Sequence, residues 1–575
     1  MKLNKIKIHN FRSIIDGEFN LDNYCLLIGE NNSGKSTIIS ALRILYEDSG
    51  IKYSDSRDFP KVGANDNESW IEIDFMTASD EQELLKDDYK SSDNILKIRK
   101  YFKHETLVKS NTSNIYAYEN GVLSNNQFYG AKNISQAKIG SIIFIPEIST
   151  ADENLKMSGP SPFREMVNFV VNKITAKSKS YEKLQTAFDT FNNDFKFESF
   201  EEYSLDGLKQ DINDSLNVWG INFDIKINSL KPQDMVKNLV SHVIHDKNLE
   251  NKDVELNTLG QGLQRHLIYT LIKLSAKYIS EPEAKKKDFN PDLTIILFEE
   301  PEAFLHPSQQ ELLNISLRTL ANEDNQQIII TTHSPIFISK NVEELSGLVK
   351  ITKEKAISIL NQISSKCLSE LFNDNLGLFN LLNSLYSNPI TTEIIKQAIK
   401  NKVVKDQNEI DLIKNGEEFR YLLYLNSERT ELFFSKMVII CEGASEKIFF
   451  DYLVNNIWYD LKEKNIYFLD SLGKFNIHRF IHLLGNYGIK HSVLMDSDRN
   501  TDVHQIINQY IEQQKNKFTK EIKFFTIDLE EFLGIIKPSS RPDLKPLNII
   551  TAFKKGEIAP EKITELKNII DSLIL

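Results

Sequence analysis

The sequence predicts an α/β protein made of two sheet-centred parts in series, and three observations predict it. Short apolar runs that end in polar loops come in two sets: "YCLLIGE", "LTIILFEE" and "QQIIITTHSP" before residue 345, and "KMVII", "KNIYFLD" and "HSVLMD" after residue 430. Runs of this kind fit strands covered on both faces, as in a parallel sheet with crossover helices. The first run enters a glycine-rich loop and then a helical pattern, so strand, loop and helix follow one another. A long helical stretch interrupts the first set.

Composition sets the outer limits. With 575 residues, 41% hydrophobic and 26% charged, the chain can fill two or three ordinary cores. No run of about 18 apolar residues occurs. The start "MKLNKIKIHNFRSI" lacks the apolar core and small-residue cleavage site of a signal peptide, so a cytoplasmic protein with no membrane partner is expected. Cys25, Cys367 and Cys441 show no CxxC spacing for zinc or redox work, and read as small core residues. The net charge of -12 argues against a protein that coats nucleic acid non-specifically, but leaves room for a local site.

Taken in order, "LNKIKIHNF" and "ESWIEIDFM" alternate as half-buried strands, and "SIIFIPEI" is a buried one. Phe163, Val167, Val170, Val171 and Ile174 share a helical face that begins near Pro160 and Pro162. Tyr181, Leu184, Phe188, Phe191 and Phe195 then follow 3,4,3,4 spacing, the seam of a short coiled coil. That seam serves either packing within the chain or an interface between chains. The resulting division is 1–154 and 251–345 for the first α/β part, 155–250 for a helical insertion, 346–430 for a connection that opens on the strand-like "GLVKITK", and 431–575 for the second part.

The loop after the first apolar run is a P-loop: Gly29, Asn31, Asn32, Ser33, Gly34, Lys35, Ser36 and Thr37 surround a phosphate site. Glycines let backbone N–H groups face the phosphates, Lys35 reaches the terminal ones, and Ser36 can bind Mg2+. In "ILFEEPE", Glu299 can complete the Mg2+ shell and Glu300 can orient an attacking water. With "HNFRSI", "LNTLGQGLQRH", "EEPEAFLHP" and "TTHSP", the chain resembles the ABC-type ATPases of the SMC and RecF group. The resemblance implies His333 as the switch histidine. It also implies a dimer in which Gly260, Gln261 and Gly262 of one subunit close over the ATP of another. Two departures stand out: Glu299 replaces the Asp of many members, and "LGQGLQ" replaces "LSGGQ". The "PEI" after Ile145 is the candidate glutamine loop.

A second constellation lies downstream. Glu442 ends the strand "MVIIC", Glu446 lies one helical turn on, and "HSVLMDSD" delivers Asp496 and Asp498 from another strand end. Period 2 or a turn brings the two aspartates together. Four converging carboxylates repel one another without cations, and hard oxygen ligands suit Mg2+ or Mn2+. This EGxxE and DxD pattern, with the loop "LGKFN" from Leu472 to Asn476 between, resembles the Toprim fold.

An SMC-like ATPase followed by Toprim is the architecture of the OLD family, the overcoming-lysogenisation-defect nucleases of Gabija-type and some retron phage-defence systems. "ERTELFFSKMVIICEGASEK", "IDLEEFL" and "RPDLKP" resemble its later motifs. The resemblance implies that Glu442, Glu446, Asp496, Asp498 and Glu530 bind metal and that Lys545 stabilises charge on phosphate, with Glu531 and Lys537 as alternatives for the last two. It further implies an ATP-regulated DNA endonuclease cutting by two-metal hydrolysis, acting as a homo-oligomer, with a helicase or a reverse transcriptase and its non-coding RNA as partners by family analogy. The competing expectation is a nucleotide-gated DNA scaffold or clamp whose Toprim domain does not cut. A topoisomerase would need a further domain carrying its catalytic tyrosine, and no stretch is left for one.

Lys35→Ala is expected to abolish ATP binding, because it removes the charge that meets the terminal phosphates. Isothermal titration with ATP checks this, and an unchanged affinity would remove the P-loop assignment.

Overall fold

The computed structural model describes residues 1–574 apart chiefly from 131–138, 148–166, 226–242, 275–288, 404–415, 417–424, 499–501 and 537–543 and scattered shorter stretches. Two compact units result: residues 1–147, 287–303 and 307–575 form the first, and residues 148–286 with 304–306 form the second.

In the first unit, alternation of apolar and polar side chains gives the amino-terminal strands one covered face. β1 (Lys2–Phe11), β2 (Ile14–Asn20), β4 (Ser69–Met76), β5 (Ile95–Lys103), β6 (Ile115–Glu119) and β7 (Val122–Gln127) form an antiparallel sheet in the order β2-β1-β4-β5-β6-β7. Ile6, Ile8, Ile71, Ile73, Phe75 and Ile98 line its buried face. On the other face the Glu72 carboxylate is buried but takes Arg99 at 2.6 Å and Lys97 at 3.0 Å, so its charge is matched.

The apolar runs assemble the second sheet. β3 (Tyr24–Gly29), β8 (Ser141–Ile145), β9 (Thr294–Glu299), β10 (Gln326–Thr332), β11 (Leu348–Glu354) and β12 (Ile357–Gln362) lie in the order β12-β11-β3-β10-β9-β8. All are parallel to their neighbours except β12, which turns back antiparallel on β11. This parallel register puts the ends of β3, β9 and β10 at one edge, where the P-loop, Glu299 and His333 stand. The sheet also runs past the expected boundary at 345. Leu348–Ile351 pair with Leu26–Gly29, and Lys355–Ala356 turn the chain into β12. "GLVKITK" thus belongs to the ATPase sheet rather than to a connection, since its apolar residues are completed only by pairing with a strand more than 300 positions earlier.

Four wholly parallel strands make the third sheet: β13 (Met437–Cys441), β14 (Ile466–Asp470), β15 (His491–Asp496) and β16 (Thr519–Phe525), in the order β14-β13-β15-β16. Ile439, Phe449, Phe450, Leu453, Phe468 and Leu494 centre its core. The short helical segment Arg429–Phe434 joins it to the ATPase sheet. Lys350 of β11 is buried and donates to the Phe433 carbonyl, Thr430 donates to the Pro335 carbonyl at 3.4 Å, and Lys436 lies 3.8 Å from Glu30 of the P-loop.

The second unit contains a helix at Lys179–Phe195, another at Leu205–Leu216 that is capped by Ser204, and two short hairpins. Along the first helix, Leu184, Phe191 and Phe195 of the 3,4 seam are exposed, with the Phe191 and Phe195 rings stacked at 5.1 Å. Phe163 lies outside the described residues. Among the described residues no helix is long and apolar enough to cross a membrane.

Burial pushes the Lys350 ammonium down to about 8. The fold therefore favours the neutral amine, and the cost of holding it charged is largest below pH 8 and disappears as pH rises toward the ordinary lysine value. Between about pH 8 and 10 the denaturation midpoint of the wild type should rise relative to that of Lys350→Met. Parallel pH profiles of the two proteins would dismiss this.

Candidate nucleotide and metal sites

The nucleotide site begins where β3 has no room for a side chain. A Cβ on Gly29 would meet the Ile351 carbonyl oxygen at 2.3 Å, so the strand can enter its loop only as glycine. Asn32 at φ 63 and Gly34 at φ 118 then turn the chain into the helix Lys35–Leu45, with Ser33 buried and Thr37 in the first turn. Asn31 is exposed in the same loop. The Lys35 ammonium donates to the Gly29 and Glu30 carbonyls at 3.0 and 3.2 Å and lies 2.7 Å from His333 Nε2. The same His333 nitrogen is 3.1 Å from Glu300. Burial holds the Glu299 carboxyl above its ordinary range, against the pull of the Ser36 hydroxyl. Lys35, Ser36, Glu299, Glu300 and His333 thus stand together, although 298 positions separate Lys35 from His333.

A residue given no role in the sequence reading organises this site. Glu302 accepts from the Thr332 hydroxyl at 2.8 Å and from the His333 and Ser334 amides at 2.6 and 3.1 Å. One carboxylate therefore fixes the backbone that carries His333. The available signal was the third acid of "EEPE". Gly260 is exposed and Gly262 is helical in the second unit, while Gln261 lies outside the described residues.

The acidic site is built at the carboxyl edge of the third sheet. Glu442 follows β13; Glu446 is buried in the first turn of the helix Ala444–Asn456 and accepts from the Gly443 amide at 3.1 Å. β15 ends at Asp496, and a turn with Asp498 at φ 56 brings the second aspartate round. The Asp496 amide donates to Glu442 at 3.3 Å. Glu530 is buried, lies 3.5 Å from Lys545 and acts electrostatically on Glu446. Its neighbour Glu531 is exposed, so of the two glutamates Glu530 is the inward one; Lys537 lies outside the described residues.

Crowding shows in the protonation of these groups. Burial first, and then the charges of Glu446, Glu442 and Asp498, push the Asp496 carboxyl up to about 9. Glu446 is pushed up to about 7, chiefly by burial. Glu442 is also raised by burial, against the pull of Lys474. Asp496 Oδ1 is buried and has no hydrogen-bond partner among the described residues. Hard oxygen donors with raised affinities for a proton fit a divalent cation. As the side chains stand, however, no three of His, Cys, Asp and Glu form a ready metal shell among the described residues. A buried lysine stands among these carboxylates. Lys474 donates to Asp498 Oδ2 and, at 2.6 Å, to the Asp496 carbonyl, and it lies 3.6 Å from Glu442. Its loop was legible as "LGKFN"; the role of its lysine was not.

Fold and sites together define an ATPase core coupled to an acidic Toprim-type domain. The chain belongs to the AAA ATPase domain family, which it matches over residues 1–338, and residues 433–498 match the overcoming lysogenization defect protein-like TOPRIM domain. The second match covers Glu442, Glu446, Asp496 and Asp498 and stops before Glu530 and Lys545. Old nuclease of Escherichia phage P2 is 24% identical over 402 residues, which are 67% of this chain and 66% of that protein. The chain thus spans just under two thirds of that relative. Endonuclease GajA of Bacillus cereus strain VD045 is 21% identical over 590 residues, 98% of this chain and 87% of that one. Among solved structures, the SMC head domain from Thermotoga maritima is similar over 63% of this chain and all of its own, with 14% identity and a TM-score of 0.28.

Because the Asp496 and Glu446 carboxyls bind protons more tightly in the fold than in the unfolded chain, the metal-free protein should lose stability as pH rises from the ordinary carboxylate range, for Glu446 up to about 7 and for Asp496 up to about 9. Melting in EDTA checks the sign: Asp496→Asn should flatten the decline, and an identical slope in the variant would contradict it.

Proposed function

We propose that the chain is an ATP-linked, metal-dependent DNA endonuclease of phage defence, working in the cytoplasm as a homo-oligomer. The observation that carries this reading is the gathering of Glu442, Glu446, Asp496 and Asp498 at one sheet edge, in the same compact unit as an assembled P-loop site. The names of the relatives agree with it.

The residues divide the work. Lys35 and the loop Gly29–Thr37 would hold the ATP phosphates, Ser36 and Glu299 its Mg2+, and Glu300 would orient water with His333 sensing the terminal phosphate. Glu302 keeps that histidine in place. Glu442, Asp496 and Asp498, with Glu446 and Glu530 behind them, would hold Mg2+ or Mn2+, which supplies Lewis acidity at the scissile phosphate and an activated water. Lys545 stands beside Glu530 and would meet charge on the phosphate. The exposed seam of Leu184, Phe191 and Phe195 supports self-association. A helicase or reverse transcriptase partner is carried by the family resemblance alone.

Glu442→Ala, or Asp496→Ala with Asp498→Ala, should eliminate DNA cleavage and spare ATP hydrolysis, because the two sites use separate side chains. Nicking of supercoiled plasmid in Mn2+, with phosphate release measured alongside, tests it; variants that cut like the wild type would sink the nuclease assignment. Wild-type protein that cuts nothing under any metal and nucleotide condition would favour a clamp instead. Glu300→Gln should bind ATP and hydrolyse it at least about 100-fold more slowly. Sedimentation of Phe188→Ser with Phe191→Ser checks the seam: dissociation with retained folding is expected, and unaltered association would place the interface elsewhere.

A further inference from the structure

Each acidic site of this protein has a lysine directly after a glycine, drawn in among the carboxylates or carbonyls that a cation would otherwise serve. Lys35 follows Gly34 and is 7% exposed; Lys474 follows Gly473 and is 3% exposed. The first belongs to a recognised motif. The second does not.

The loop that carries Lys474 is held firmly. Gly473 sits at φ 102 and Leu472 at φ 58. The Gly473 amide donates to the Glu442 carbonyl at 2.8 Å, the Ser471 hydroxyl to the same carbonyl at 3.0 Å, and the Leu472 amide to Asp470 Oδ1 at 2.7 Å. A left-handed leucine costs free energy, and these bonds hold it there. The result is to aim the Lys474 side chain inward. Among the described residues, its side-chain polar contacts fall on the acidic site: Asp498, Glu442 and the Asp496 carbonyl.

We propose that Lys474 is the resident counter-charge of the metal site, an ammonium that a divalent cation must displace from Glu442 and Asp498 in order to bind. This rests on reading those two carboxylates as metal ligands. Without a positive charge between them, the Glu442 and Asp498 carboxylates would repel one another in a half-buried setting where water screens poorly. Lys474 removes that repulsion when no metal is present. It also competes with the metal, so it weakens metal binding in the wild type. The site is then quiet at low cation concentration and takes its metal only when the gain exceeds the loss of the lysine contacts.

Mn2+ binding, followed by the electron paramagnetic resonance signal of the free ion with no DNA present, tests this. Lys474→Met keeps the stem and removes the charge, and should bind Mn2+ about tenfold more tightly or better. In EDTA it should melt below the wild type, and Mn2+ should restore it. Lys474→Arg keeps the charge and should stay close to the wild type in both measurements. Lys474→Gln guards against a packing defect in the Met variant: if it binds Mn2+ no more tightly than the wild type, the proposal fails. Because DNA is absent, tighter Mn2+ binding in a protein that never cuts would leave this inference standing and remove the nuclease reading, whereas cleavage with unchanged Mn2+ affinity would do the reverse.

Discussion

Carboxylates crowded at the carboxyl edge of a parallel sheet need positive charge close by, and both sites of this protein depend on how that need is met. Glu299, Glu300 and Glu302 gather at the end of β9, Glu442, Asp496 and Asp498 at the ends of β13 and β15. Burial raises the carboxyls of Glu299, Glu302, Glu442 and Asp496 alike. In water such groups would be unremarked, but with low-dielectric walls each unpaired charge is expensive. Lys35 answers the first cluster, Lys474 the second.

The two sites also share a seam of polar contacts. Thr430 touches the Pro335 carbonyl, two residues beyond His333, and the neighbouring Arg429 lies 3.7 Å from Asp470. The other oxygen of Asp470 holds the Leu472 amide, and so the loop of Lys474. From His333 to Lys474 these contacts run through one short helical segment. Lys350 anchors that same segment by its donation to Phe433. The segment therefore stands between the loop of His333 and the loop of Lys474.

Much of this was legible because it is local. The P-loop, the acidic strand ends and the alternating strands each fit within about ten residues, where spacing alone fixes which side chains can meet. The placements of Glu442 and Glu446 follow from one strand end and one helical turn. Asp498 was less determined, since either an extended strand or a turn was open to it, and the structure uses a turn. β11 and β12 were missed as part of the second sheet because β11 pairs with β3, which is remote in sequence, and β12 turns back onto β11. Glu302 and Lys474 were missed for a related reason: an acid after a strand and a lysine in a glycine loop look like solvated surface until their partners are known.

The sequence by itself determined the two α/β parts, the order of their motifs and the chemical character of each site, because hydrophobic period and glycine placement act over a few residues. Tertiary structure decided which groups face one another. It set His333 against Lys35, turned Glu530 inward rather than Glu531, and placed Lys474 between Glu442 and Asp498. Those pairings depend on strand order and register, which bring together residues tens to hundreds of positions apart, and a charge has meaning for a site only when the distance to the next charge is known.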